Sequence, residues 1–378
     1  VTHNQKYQRR KAKRQEERRH KNKHYDNYDE VFSFDHLYQS ARKCRLNVFW
    51  KTSVQAFEND IGKNVFNLYD QLHNREYKQG AFFEFDTIER GKQRHIRSLH
   101  IKDRAVQKCL CDYSLVPVLA PTFIYDNGAS MKNKGIDFAL GRMDKHLHDY
   151  FLQNGNEGYI LQYDFSKYFE SIPHDVLKGI ISHYYEDEDL KALMFDMIDA
   201  FGESGLGLGS QMSQVLALAA ASSIDHYFKD KKGVKYYGRY MDDGYIIARD
   251  KDYLFECKRE LEELVTSLGL KLNLKKTQIA KLSHGFTFLK VRYVMQQDGH
   301  LHKHIARVSV TRMRKKLKVY KRLFDEGKVT QTIVDGALCS WLAYAARCDT
   351  YQTRQNMVNL YFELFGKETT NRVLQSYR

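Results

Sequence analysis

Proline is scarce in this 378-residue chain, three residues against 22 glycines, which excludes a Pro-rich linker architecture and a collagen-like repeat. Paired cysteines at CxxC spacing are missing. Cys44, Cys109, Cys111, Cys257, Cys339 and Cys348 are scattered, so a disulfide scaffold and a zinc ribbon are both excluded as expectations. No run approaches the roughly 18 apolar residues a membrane helix needs; the best candidate, Val215 to Ile224, is short and interrupted by serines. The N-terminus carries charge with no apolar segment behind it, so no secretory signal is expected. These absences lead to the expectation of a soluble cytoplasmic protein with no membrane partner.

What is present is a foldable and basic chain. Hydrophobic residues make up 42% and charged residues 29%, enough apolar material for a packed core and too much for a disordered segment. The formal net charge is +14. Between Lys6 and Lys23 ten Lys/Arg are opposed only by Glu16 and Glu17, a net +8 without apolar periodicity, which reads as a mobile arm or a solvated helix. A second basic run, Arg307 to Arg322, carries a stripe of Val310, Met313, Leu317 and Tyr320 at helical spacing, with cations between. Clustered cations favour a polyanion, because they release condensed counterions from a phosphate backbone. On charge alone, solubility is the competing explanation.

Coarse patterning orders the rest. Residues 24–80 read as helical, with Phe49 and Trp50 as core. Phe82 to Ile101 reads as two strands around a turn at Arg90-Gly91-Lys92, and Asp103 to Leu119 as a helix with Asp103 near its N-cap. Gly158 to Phe165 is a strand with an acid near its end, and Val215 to Phe228 a helix. Lys235 to Ala248 reads as two short strands around a polar turn, followed by a helix at Phe255 to Leu268. Lys271 to Leu289 holds two more strand candidates, and Val334 to Ala346 is again helical. The order implies an α+β sheet backed by helices, with mostly helical outer thirds.

The sharpest feature is Tyr240-Met241-Asp242-Asp243 between two β-rich runs. Adjacent acids are poor strand formers and repel one another. A divalent cation would offset the repulsion, and Asp164, ending a separate strand, can bring a third carboxylate to it. Two hard cations held by carboxylates suit in-line phosphoryl transfer, one lowering the pKa of a primer 3′-hydroxyl and the other stabilising the leaving pyrophosphate. On these residues alone, a surface hairpin with an Asp-Asp turn remains the alternative.

Asp164-Phe165-Ser166-Lys167-Tyr168-Phe169, Leu208-Gly209-Ser210-Gln211-Met212-Ser213-Gln214, Tyr240 to Asp243, Leu272 to Thr277 and Gly285 to Leu289 together carry a resemblance. In this order, over roughly residues 80–350, the chain resembles reverse transcriptases of bacterial retroelements. The resemblance implies a right-hand polymerase: helical fingers, a ferredoxin-like palm sheet and a helical thumb, with a basic arm at 1–24, fingers at 25–155, palm at 156–298 and thumb at 299–378. It implies Asp164, Asp242 and Asp243 as catalytic acids. The metal site would be those three carboxylates with the Phe165 backbone carbonyl, around two Mg²⁺ ions for which Mn²⁺ can substitute.

The same resemblance implies nucleotide contacts from Lys92, Arg94, Phe169 (a gate against the 2′-hydroxyl), Gln214 and Lys276. Template or primer contacts would come from Gly209, Ser210, Gln211, Tyr240, Met241, Phe286 and Phe288, and from Arg312 and Lys316 on a thumb helix along the duplex. Lys290 stands where a glycine is common. Partners would be an RNA template or noncoding RNA, an RNA–DNA duplex, dNTPs and a small accessory protein. Leu208 and Gln214, where many relatives have Gln and Pro, resemble diversity-generating retroelements. Defence-associated bacterial enzymes, which work with a noncoding RNA or without a template, are the second resemblance, and either would be bacterial or phage-encoded. A noncatalytic RNA-binding protein on the same scaffold is the third reading. Past the thumb no RNase H or endonuclease domain is expected.

Three further patterns were weighed. His300, His302 and His304 alternate and share a strand face; they read as a transition-metal set or as exposed polar positions, and no acid or cysteine joins them in sequence. Cys109 and Cys111 read as buried packing rather than a redox pair. Tyr125-Asp126-Asn127-Gly128 reads as a turn, and the resemblance adds that Gly128 to Gly135, with Lys132 and Lys134, lines the template path.

Overall fold

A computed structural model describes residues 9, 13, 16–89, 92–367, 369 and 371–377, so most of the basic arm and the Arg90-Gly91 turn lie outside the described residues. The fold is mixed α+β with antiparallel sheets. Contacts divide the chain into two compact units. One comprises Val1–Ala139, Tyr163–Tyr245 and Glu256–Thr277; the other comprises Leu140–Gln162, Ile246–Phe255 and Gln278–Arg378.

In the first unit, helices Phe34–Cys44 and Ile61–His73 bury Leu37, Ala41, Val65, Leu68 and Leu72, residues spaced three to four apart, against helix Ile101–Leu110. That helix starts two residues before the expected Asp103. His100 caps it, its ring accepting from Lys102 N–H at 3.4 Å, while Asp103 is buried and accepts from Tyr77 Oη at 2.8 Å. Phe49 and Trp50 are not core: they are 53% and 74% exposed. Arg45 and Lys51 hold their cations over these two rings, at 6.0 and 5.5 Å, in a surface segment between helices. Strands β1 (Phe83–Glu89) and β2 (Lys92–Ser98) pair antiparallel, with Thr87 opposite Arg94. The helix expected over Val215 to Phe228 instead runs Gln211–Ala220, breaks before Ser222-Ser223, and resumes as Ser222–His226.

Strands β3 (Tyr159–Asp164), β4 (Tyr237–Tyr240), β5 (Asp243–Ala248) and β6 (Gln278–Lys281) form a four-stranded sheet in the order β4-β5-β3-β6. Inside the second unit, Leu161 of β3 pairs antiparallel with Ile279 of β6. There β7 (Phe286–Phe288), β8 (Val291–Met295) and β9 (Leu301–Ile305) make a second antiparallel sheet. Leu289 and Lys290 join β7 to β8 with φ of 46° and 70°, a two-residue left-handed turn whose twist matches the strands. This is why glycine suits position 290. Helices Arg307–Asp325, Gln331–Ala345 and Tyr351–Phe365 enclose a core that includes Met313, Leu317, Leu338 and Tyr361. Val310 and Tyr320 pack on it, so the stripe faces inward and the cations outward. Cys109 and Cys111 are buried and unpaired. Among the described residues no helix is long and apolar enough to cross a membrane.

Candidate active site

The hairpin β4–β5 turns on Met241 and Asp242, so Asp242 sits in the turn and Asp243 opens β5. Met241 adopts φ 55°, a left-handed conformation that costs a residue with a Cβ about 1–2 kcal/mol. Two contacts hold it there: its side chain is buried against Ala129 and Leu218, and its carbonyl accepts from Arg239 Nη1 at 2.9 Å. Gly244 follows because the neighbouring strand is too close for a side chain; a Cβ there would overlap the Tyr163 ring. Phe165 N–H donates to the Asp242 carbonyl at 3.3 Å and ties the end of β3 to the turn. Asp164, Asp242 and Asp243 therefore converge.

Burial and mutual repulsion raise the carboxyls of Asp242 and Asp243. Burial, then the charge of Asp164, raises Asp242 above the usual carboxylate range, although its own backbone N–H, Lys276 and Arg94 pull it down. Burial, then Asp242 and Asp164, pushes Asp243 up to about 7. Asp164 is 4% exposed and is satisfied from one loop: Asn273 Nδ2 donates to Oδ1 at 3.1 Å, and Lys276 Nζ donates to Oδ2. The Asn273 N–H also donates to the Asp164 carbonyl at 2.7 Å. Burial lowers the Lys276 pKa, but Asp164, Asp243 and Asp242 outweigh it and the ammonium is held charged. Carboxylate oxygens are a donor set for a hard divalent cation, and the mutual repulsion is what such a cation relieves.

Other expected residues fall around this point or away from it. Phe169 packs on the cluster of Ala129, Leu218 and Met241, beside Tyr240. Gln214 is exposed on the first turns of helix Gln211–Ala220, whose N-cap is Ser210. Gly209, at φ 109°, follows Leu208, which bridges to Ile96 of β2. Ile96, Arg97, Arg104, Lys108, Gly209 and Gln211 line part of a cleft of about 300 Å³. Arg97, Arg104 and Lys108 were not singled out from sequence. Lys108 bridges Asp112 and Gln211, at 2.5 and 2.9 Å. Lys134 donates to the carbonyls of Tyr125 and Asn127 at 2.9 and 2.8 Å, which ties it to its own loop. The Lys92 side chain lies outside the described residues. In the second unit, Phe286 and Phe288 are buried, at 4% and 2% exposure, so neither ring is free to meet a primer. Arg312 and Lys316 are exposed one turn apart.

Residues 78–293, more than half of the chain, match the family model for reverse transcriptase (RNA-dependent DNA polymerase). The chain belongs to the reverse transcriptase family. No curated protein sequence matches it significantly. Among solved structures it is similar to a telomerase from Candida albicans in complex with a TWJ fragment of telomeric RNA, with 12% identity and a TM-score of 0.46 over 81% of this chain and 64% of that one. Apo telomerase from Candida tropicalis gives 14% identity and a TM-score of 0.44 over 76% and 58%. A form truncated from its C-terminal domain gives 17% and 0.43 over 60% and 55%. The chain thus spans between 55% and 64% of the length of those telomerase chains.

Beneath the reverse transcriptase hairpin lies a polar network that sequence reading missed. Arg239 and Asp225 are both fully buried and paired, Nε to Oδ1 at 2.7 Å and Nη2 to Oδ2 at 2.6 Å. Arg239 also donates to the carbonyls of Met241 and Leu218, and Tyr237 Oη donates to Asp225 at 2.6 Å. Tyr163 Oη closes the chain on Tyr237 at 2.7 Å. The available signal was an arginine inside an otherwise apolar strand, Tyr237–Tyr240, which needs a buried partner. Asn273 was also missed, although it sits in the quoted Leu272 to Thr277 segment.

Two predictions follow from this geometry. Asp225→Ala leaves Arg239 buried without a counter-charge and is expected to destabilise the chain by about 3–5 kcal/mol, read by urea denaturation. Replacing both partners together, Asp225→Leu with Arg239→Met, is expected to cost less than that single change. The second concerns pH. Because the folded-state pKa of Asp243 is raised, the folded chain binds that proton more tightly than the unfolded one. Stability is therefore expected to fall as pH rises from about 4 to about 7 in EDTA. Asp243→Asn should flatten that part of the melting-temperature profile, and millimolar Mg²⁺ should lift the wild-type melting temperature at pH 8 more than the variant's.

Proposed function

We propose that this chain is an RNA-directed DNA polymerase that adds deoxynucleotides to a primer 3′-end on an RNA template. The observation that carries the reading is the convergence of Asp164, Asp242 and Asp243 where the end of β3 meets the β4–β5 turn. Two Mg²⁺ ions, with Mn²⁺ as a substitute, would be held by these acids and the Phe165 carbonyl and would supply the positive charge that activates the 3′-hydroxyl and neutralises the leaving pyrophosphate.

The chain's own residues have separate tasks. Lys276, already charged beside Asp164, would meet the triphosphate, and Arg94 with Lys92 would approach it from the β1–β2 hairpin. Phe169, set on Met241 and Leu218, is the residue assigned to exclude a 2′-hydroxyl. Gly209, Ser210, Gln211, Tyr240 and Met241 would contact the template–primer pair. The β7–β8 hairpin, which Phe286 and Phe288 anchor in the core, would grip the primer. Arg312 and Lys316 would meet duplex phosphates, reading shape and charge rather than sequence. In this reading the fingers cover 25–155, the palm 156–298 and the thumb 299–378.

The finer assignment is a diversity-generating retroelement enzyme of bacterial or phage origin, acting in the cytoplasm on its own structured template RNA with a small accessory protein. It is supported by Leu208 and by Gln214, whose exposed amide stands where many relatives place proline. Primer extension on a heteropolymeric RNA with Mg²⁺ and four dNTPs tests both levels. Templated DNA is expected from the wild type and none from Asp242→Asn, which should still bind RNA with unchanged affinity. Wild-type synthesis by that variant would overturn the site. Misincorporation concentrated opposite adenine is expected in the sequenced product, and errors spread evenly over the four bases would remove the finer assignment.

A further inference from the structure

His300 and His302, two residues apart at the start of β9, present their rings side by side, with centroids 4.7 Å apart and planes crossed at 78°. The acid that the sequence did not offer them comes from the turn after helix Gln331–Ala345. Asp349 is pinned to β9 by two backbone contacts: its N–H donates to the Lys303 carbonyl at 2.9 Å, and its Oδ2 accepts from Lys303 N–H at 2.9 Å. The Lys303 ammonium points elsewhere, to Asp144 at 3.0 Å, so that lysine does not neutralise Asp349. His302 Nδ1 lies 3.6 Å from Asp349 Oδ2, too far for a hydrogen bond. One ligand atom from each of His300, His302 and Asp349 falls within 4.8 Å of the other two.

We propose that His300, His302 and Asp349 form a three-ligand site for a zinc-class divalent cation. Two imidazoles with one carboxylate are borderline donors that suit Zn²⁺ and its neighbours, whereas the oxygen-only set of Asp164, Asp242 and Asp243 suits Mg²⁺. Ligands at about 2.0–2.2 Å around a tetrahedral ion stand about 3.4 Å from one another. The observed spread closes to that by rotation of three exposed or half-exposed side chains, with the backbone of Asp349 already fixed. A bound ion would fasten β9 to the turn between helices Gln331–Ala345 and Tyr351–Phe365 and leave one position for water or an anionic oxygen. His304, whose ring stacks on His302 at 5.8 Å, is outside the set of three and serves as the control.

Zn²⁺ is titrated into the metal-free chain of 378 residues by calorimetry in excess Mg²⁺, which competes for the carboxylates of Asp164, Asp242 and Asp243. Co²⁺ in place of Zn²⁺ reports the ligand geometry by visible absorption. One equivalent of Zn²⁺ is expected to bind, with affinity lowered about tenfold or more in His302→Ala and in Asp349→Asn, and unchanged in His304→Ala. Circular dichroism of each variant separates lost ligation from lost folding. Absence of Zn²⁺ uptake by the wild type, uptake unaffected by His302→Ala in a folded variant, or an equal loss in His304→Ala would each overturn the site.

Discussion

Three carboxylates held together against their own repulsion are the constraint around which the first unit is organised. Burial makes the repulsion worse, since a low-dielectric surround both disfavours the charged form and strengthens the coupling between neighbours. Asp243 reaches about 7 for that reason. The protein meets this cost with Lys276, which answers the acids directly. Arg239, its charge already matched by Asp225, acts on geometry instead: it fixes the Met241 carbonyl and thereby the turn that carries Asp242.

That arrangement explains why the turn can hold a methionine in a left-handed conformation. A glycine would take φ 55° without strain, but it would leave the pocket between Ala129 and Leu218 unfilled. The methionine accepts a small backbone cost and gains an anchor in the core, and the arginine bond removes the freedom to relax back. The hairpin tip is thus over-determined from three sides: side chain, carbonyl, and the Phe165 N–H on the next carbonyl. Strain persists where the surroundings leave no alternative, and such places are commonly functional.

The sequence carried the local part of this and not the part made by contacts distant along the chain. The strand ending in Asp164 and the hairpin around Tyr240 to Asp243 were legible because alternation, turn chemistry and motif order all lie within a few residues. Leu272 to Thr277 was legible for Lys276 but not for Asn273, whose importance depends on reaching Asp164 more than a hundred residues away. Phe49 and Trp50 were misread because aromatic character signals burial only on average; both rings lie at the surface, each beside a cation. Asp103 was legible as an acid near a helix start, where it stands in the first turn, but its burial against Tyr77 was not, because that partner is invisible to local pattern.

His300 and His302 show the same limit from the other side. Their alternation was visible, but a metal site was disfavoured for want of an acid, and the acid arrives from Asp349, nearly fifty residues on. The pairing of Asp349 with the Lys303 backbone, through its N–H and its carboxylate, is what turns a remote residue into a neighbour, and no local motif announces it. On these two proposals the chain would offer cations two chemically distinct sets of donors, one of oxygens in the first unit and one of imidazoles with a carboxylate in the second. Magnesium, which favours oxygen donors, would not displace a borderline ion from the imidazoles, and its cellular abundance rather than donor type alone would keep a borderline ion from the carboxylates.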